Sequence, residues 1–128
     1  MKRSKKRIII IGGVAGGASC ATRLRRLCEH CEIILFDKGQ HVSFANCGLP
    51  YFVGNVIEDE KKLFIATPDL FERRFNISVF VEHEVMLINR DAKKILVKNL
   101  QDGTTWEESY DGLLLSTGSI AIRPPLVG

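Results

Sequence analysis

Apolar positions follow two rhythms along the chain. Residues 7–11 (RIIII) and 32–37 (EIILFD) are unbroken apolar runs bounded by charge, the pattern of strands covered on both faces. Between them Ala18, Ala21, Leu24 and Leu27 share one helical face, while Arg23, Arg25 and Arg26 fall mostly elsewhere. This predicts an amphipathic helix from about Gly16. Residues 38–46 read as loop, with a short helix beginning near Asn46 or Cys47. TPDLFERRF (67–75) predicts a second long helix, with Thr67 as N-cap and Pro68 at its first position. ISVFV (77–81) is a strand. EVMLINR and KILVKN flank the turn DAK as a hairpin, and Asp102-Gly103 marks the next turn before TTWEESY. GLLLST (112–117) is another buried strand, and IRPPLVG continues it as an extended tail. The expected class is α/β, a parallel sheet plus a β-meander, with no internal repeat.

The turn after the first strand is Gly12-Gly13-Val14-Ala15-Gly16-Gly17. The dinucleotide fingerprint G-x-G-x-x-G is met at Gly12 and Gly17, whereas Val14 occupies the middle glycine position. Gly12 permits the tight turn, and Gly17 lets helix and strand pack closely. The helix start then offers free N–H groups and a positive dipole end to a pyrophosphate. Val14 places a β-carbon where backbone would approach the phosphates, so the fit is looser or shifted. Asp37 ends the second strand, 20 residues past Gly17. A carboxylate there accepts hydrogen bonds from ribose hydroxyls and argues against a 2′-phosphate. Strand, glycine turn, helix, strand and acid together predict dinucleotide binding.

Length and charge add exclusions. The 128 residues suit one ordinary domain, with no apolar run of spanning length. KRSKKR (2–7) carries five of the 18 basic residues, but no aromatic or second basic patch accompanies it, so nucleic acid is not the expected partner. Basic residues, an apolar stretch and Ser19-Cys20 imitate a lipoprotein signal. The glycines, Gly17 at a position that wants leucine, and the helical ATRLRRL beyond it argue against export. Four cysteines, at 20, 28, 31 and 47, accompany a full apolar core that needs no staple, so the expectation is a cytoplasmic protein with reduced thiols. CEHC (28–31) is half a zinc site with no second pair, so no metal site is expected. His41 and His83 read as loop or strand-edge residues, and Cys20 as core.

IIIIGGVAGGASCATRLRRL, SFANCGLPY, HEV and EESYDGLLLSTGS closely resemble the coenzyme A-disulfide reductases, flavin-dependent pyridine nucleotide–disulfide oxidoreductases related to NADH oxidases and peroxidases. The resemblance runs from about Arg7 to the last residue, and SFANCGLPY is its most specific part. It implies a Rossmann-like, glutathione reductase-type domain binding FAD. Gly12, Gly13, Ala15, Gly16, Gly17, Asp37 and Lys38 would hold the ADP half, the main chain near Val85 would meet adenine, and Thr117 and Gly118 would lie by the phosphate arm. Cys47 would be the single redox cysteine, alternating between thiolate and a mixed disulfide with coenzyme A. A helix start favours a thiolate, the nucleophilic form of a cysteine. Gly48 is expected to leave room for a ring or substrate sulfur.

Ser43 and Asn46 match substrate-binding positions near the sulfur, and Ser19 and Arg26 match others on the first helix. Arg23 stands where a relative has glutamine. Phe75 departs from a lysine, for which Arg74 could compensate. Family members are several times longer, so the resemblance implies that these residues are the N-terminal part of an FAD-binding domain. The nicotinamide-binding and dimerisation domains of a homodimer would lie elsewhere. NAD(P)H would be the electron donor, and a coenzyme A-type disulfide or persulfide the substrate, with no membrane partner. Other readings stay open: an oxidase or peroxidase cycling Cys47 through a sulfenic acid, and a non-catalytic dinucleotide-binding module, which needs no low-pKa cysteine; for Cys47 itself the alternative is a small buried loop residue.

Overall fold

The computed structural model describes residues 5–126. Lys2 and Arg3 of the basic stretch, and Val127 and Gly128 of the expected tail, lie outside the described residues. β1 (Arg7–Ile11), α1 (Gly16–Leu27) and β2 (Glu32–Phe36) form the expected βαβ opening. A 3-10 turn (Asn46–Gly48) runs into α2 (Leu49–Val53), and a second 3-10 turn (Glu60–Leu63) precedes α3 (Pro68–Phe75). The strands β3 (Ser78–Phe80), β4 (His83–Asn89), β5 (Lys94–Asn99), β6 (Thr105–Ser109) and β7 (Gly112–Leu115) complete the order. Among the described residues no helix is long and apolar enough to cross a membrane.

Two sheets result. The four-stranded sheet is parallel, in the order β3-β2-β1-β7, and the three-stranded sheet β4-β5-β6 is an antiparallel meander. Strand alternation explains the unbroken apolar runs. Ile10, Ile33 and Leu35 face one way and pack with Ala18, Ala21, Phe71 and Ile77 from the helical layer. Ile9, Ile34 and Phe36 face the other way and pack with Ile95 and Val97 of the meander. Ile9, Ile10, Ile33, Leu35 and Phe36 are all at most 1% exposed, and each such side chain contributes about 1.5–3 kcal/mol by leaving water.

Local chemistry sets the ends of elements. Thr67 Oγ1 accepts the Leu70 N–H at 3.3 Å, Pro68 opens α3, and Asn76 closes it in the left-handed region. Arg7 begins β1 by donating to Glu32 on β2 (2.9 Å) and Glu108 on β6 (3.0 Å), which joins the two sheets. The hydrogen bond to Glu32 holds its guanidinium above the ordinary arginine value.

Two expectations fail along α1: reduced thiols throughout, and a core Cys20. The four thiols are not all reduced: Cys28 and Cys31 form a disulfide, with only Cys20 and Cys47 free among the described residues. The cause is local. Cys28 caps α1 in an extended conformation, so the chain turns back at once and brings Cys31, just before β2, to a Cα–Cα distance of 5.6 Å. Cys20 is half-buried rather than core. Arg25, off the apolar face of α1, is nonetheless bound into the fold. Its Nε donates to Phe75 O and its Nη2 to Asn76 O, both at 2.7 Å. Its Nη1 donates to the carbonyls of Cys28 (3.2 Å), Glu29 (2.7 Å) and Cys31 (2.8 Å).

Candidate dinucleotide cleft and thiol loop

A cleft of about 810 Å³ opens where β1, β2 and β7 end. This is the topological switch point of the parallel sheet: the chain moves from β1 to β2 on one side, while β7 lies on the other. Gly12 leaves β1 at φ +94°, and an added β-carbon there would lie 2.0 Å from Ser116 O. Gly17 is equally constrained, since its β-carbon would stand 1.7 Å from Gly12 O and 3.1 Å from Ile10. These contacts set the helix against the strand. Ala15, the N-cap of α1, supplies no side-chain acceptor, and the first turn holds no acid. Its N–H groups therefore stay available to an anion.

Asp37 is the centre of this corner. Its Oδ2 accepts the Gly13 N–H and its Oδ1 the Gly39 N–H, both at 2.7 Å. Each carboxylate oxygen keeps a second lone pair for a ligand hydroxyl. Its backbone N–H donates to Phe80 O (2.9 Å), and its carbonyl accepts from His83 N–H (3.0 Å). Asp37 thus ties the glycine turn to the first strand of the meander. A register shift between Val85 and Leu87 bulges β4 beside the cleft, a common way to re-aim main chain at a site.

Of the residues singled out for a dinucleotide, Gly12, Ala15, Gly16, Asp37, Lys38, Val85, Thr117 and Gly118 line the cleft. Gly13 and Gly17 are buried behind its wall, and Val14, in the middle glycine position, is part of the lining. The structure adds His83, Glu84, Ser116, Ser119 and Ile120 to the wall. His83 donates from Nδ1 to Val81 O at 2.6 Å and packs edge-on to Trp106 at 5.4 Å. Its position beside Glu84 and Val85 was the one available signal. Ser116–Ile120 simply continue β7 out of the sheet, so the strand's exit was the signal there.

The thiol loop is laced onto the same corner. Ser43, in the left-handed region at φ 53°, donates its N–H to Gly13 O at 2.8 Å and accepts from Ile65 N–H at 3.0 Å. Val42 is buried against Gly13, where an added β-carbon would meet it at 2.7 Å. The Ala45 N–H donates to Leu63 O at 2.8 Å, and Phe44 packs edge-on to Phe64. Asn46 reaches the cleft wall, and Cys47, next to it in the 3-10 turn, is an exposed free thiol. Cys47 is therefore not the buried loop residue of the alternative reading. Gly48 does not make room for a substrate. It is buried, and its missing β-carbon would strike Leu63 Cδ2 at 2.6 Å, so the glycine lets the thiol turn sit on the core. Ser19, Arg23 and Arg26 are exposed along one face of α1, and none lines the cleft.

A family model described as pyridine nucleotide-disulphide oxidoreductase matches residues 6–128. The coenzyme A disulfide reductase of Staphylococcus epidermidis is 50% identical over 91% of this chain and 27% of its own length. The crystal structure of reduced Bacillus anthracis CoADR-RHD superposes with a TM-score of 0.91 at 45% identity, over 98% of this chain and 23% of that one. The NAD-dependent persulfide reductase from A. fulgidus gives 0.87 at 30% identity, over 94% and 23%. The chain therefore spans about a quarter of the length of such relatives. A glycine turn, an acid-ended second strand and an exposed thiol on one corner agree with this match, and the chain belongs to the pyridine nucleotide-disulphide oxidoreductase family.

Proposed function

We propose that residues 1–128 form the N-terminal part of an FAD-binding domain in an enzyme that reduces coenzyme A disulfide or persulfide with NAD(P)H, using Cys47 as its redox thiol. The observation that carries this reading is the lacing of the Cys47 loop onto the glycine turn, which puts an exposed thiol beside a dinucleotide-sized cleft. The cleft fits the ADP half of FAD on two counts: it has a glycine cradle that a β-carbon would fill, and an uncapped helix start facing it. Gly12, Gly16 and the α1 N–H groups would hold the pyrophosphate, Asp37 the ribose, and the main chain at Val85 the adenine. Bound there, FAD supplies two-electron transfer between a nicotinamide donor and a thiol.

The chain's own chemistry is thiol–disulfide exchange. The Cys47 thiolate attacks one sulfur of coenzyme A disulfide, a Cys47–coenzyme A disulfide forms, and one coenzyme A thiol leaves. Ser43 and Asn46, in the same loop, would orient the incoming sulfur. Ser19, Arg23 and Arg26 would offer charge to the ligand's phosphates. Incubation of the chain with coenzyme A disulfide should add one coenzyme A by intact mass, mapped to Cys47 and absent in Cys47→Ser. FAD should bind weakly to these residues alone, with tryptophan quenching lost in Asp37→Ala, and without NADH turnover. A Cys47 that alkylates readily yet never takes up coenzyme A would remove the substrate assignment. Intact FAD quenching in Asp37→Ala would remove the cofactor one.

A further inference from the structure

The Cys28–Cys31 pair lies at the end of α1 opposite the cleft, about 18 Å away along a 12-residue helix. It plays no part in the chemistry of Cys47. We propose that it is a second thiol–disulfide site, one that exchanges reversibly with low-molecular-weight thiols through Cys28. Three observations carry this. The two cysteines are bonded. Their burial is unequal: Cys31 is 8% exposed and packs in the helical core, whereas Cys28 is half-buried at the edge of that core. The loop between them is exposed at Glu29 and His30, and Cys28 beside it is the less buried of the two cysteines.

Access therefore selects the sulfur attacked. A thiolate RS⁻ attacks Cys28 Sγ, the S–S bond breaks, and Cys31 departs with the electron pair and takes a proton from solvent. A second RS⁻ attacks the mixed disulfide at its small-molecule sulfur, so RSSR forms and Cys28 leaves as a thiolate that is then protonated. Two electrons move from two RSH to the pair, and the reverse sequence closes it at the expense of RSSR.

The closed loop also has a structural consequence. Arg25 Nη1 gathers the carbonyls of Cys28, Glu29 and Cys31, while its other nitrogens hold the end of α3. The bridge fixes three acceptors of a clamp that joins α1, the approach to β2, and α3. Reduction frees that loop.

The test uses the Cys47→Ser chain, so that the cleft thiol is silent, with glutathione disulfide as the probe. With Cys31→Ser added, the probe should attach to Cys28 by peptide mapping. With Cys28→Ser added instead, buried Cys31 should react at least about tenfold more slowly. Equal rates, or uptake at neither position, overturn the proposal. The native pair gives an independent reading that needs no core substitution. Limited reduction with glutathione followed by acid quench should trap the mixed disulfide on Cys28, whereas a trap on Cys31 refutes the assignment. Full reduction should lower the melting temperature by roughly 5 °C, as expected for opening a short loop, and an unchanged melting temperature refutes the clamp.

Discussion

Arg25→Ala tests whether one guanidinium holds the back of the domain together. Arg25 makes five hydrogen bonds, all to main-chain carbonyls. Three go to a loop within six residues of it, and two to Phe75 and Asn76, about 50 residues away. The local carbonyls can turn to water once the arginine is gone, and the disulfide keeps their loop closed. The two at the end of α3 are the long-range links, and hydrogen bonds from a charged donor contribute about 1.5–3 kcal/mol each. Allowing for partial solvent access, the expected loss is about 3 kcal/mol, or roughly 12 °C in melting temperature for a domain of this size. Arg25→Lys should recover less than half, because an ammonium cannot span the two carbonyl groups as a planar fork does. Urea unfolding followed by circular dichroism measures both. Loss should be larger with dithiothreitol present, since bridge and clamp hold the same loop. A change within about 0.5 kcal/mol, the usual range for surface positions, would refute the clamp.

Gly17→Ala should cost more than about 3 kcal/mol, because its β-carbon has only the backbone of Gly12 to displace; soluble chain with an unchanged melting temperature would contradict the contact. Gly48→Ala should lower stability by about 1–3 kcal/mol through Leu63. It should leave the iodoacetamide rate of Cys47 within about twofold, whereas a large change in that rate at constant stability would return Gly48 to the substrate path. Asp102 is held below its ordinary carboxylate value, first by the hydroxyl and then by the N–H of Thr104. Its contribution is therefore present above the ordinary carboxylate value and lost as pH falls below it through the lowered folded-state value. Thr104→Val should move the Asp102 titration upward by NMR, though not fully, since the N–H remains.

The sandwiched sheet was legible because burial on both faces leaves β1 and β2 apolar after the paired Arg7 and Glu32 at their starts. The meander was legible because the turns DAK and Asp102-Gly103 separate its three short strands. Thr67-Pro68 announced α3 through local capping alone. The far end of α1 was not legible, for a non-local reason. An arginine on an amphipathic helix reads as solvated until the chain delivers unpartnered carbonyls from α3, and sequence periodicity carries no record of that delivery. The disulfide was hidden differently: here the bridge depends on α1 ending at Cys28, and element ends are what periodicity fixes least. Gly48 misled because a glycine beside a thiol suggests space, whereas the space was already filled by Leu63.

The corner that carries the thiol is a set of mutual constraints rather than separate sites. Gly13 donates to Asp37 on one side and accepts from Ser43 on the other, while its missing β-carbon makes room for Leu35 and Val42. A side chain at position 13 would push away the second strand and the thiol loop together. Asp37 in turn fixes Gly39 and, through its main chain, β3 and the start of β4. The residues proposed to meet a ribose are therefore also those that set where Cys47 stands. Weak dinucleotide affinity and a displaced thiol should accordingly appear together in variants of Asp37. Variants of Asn46, whose side chain is not part of that lattice, should separate them.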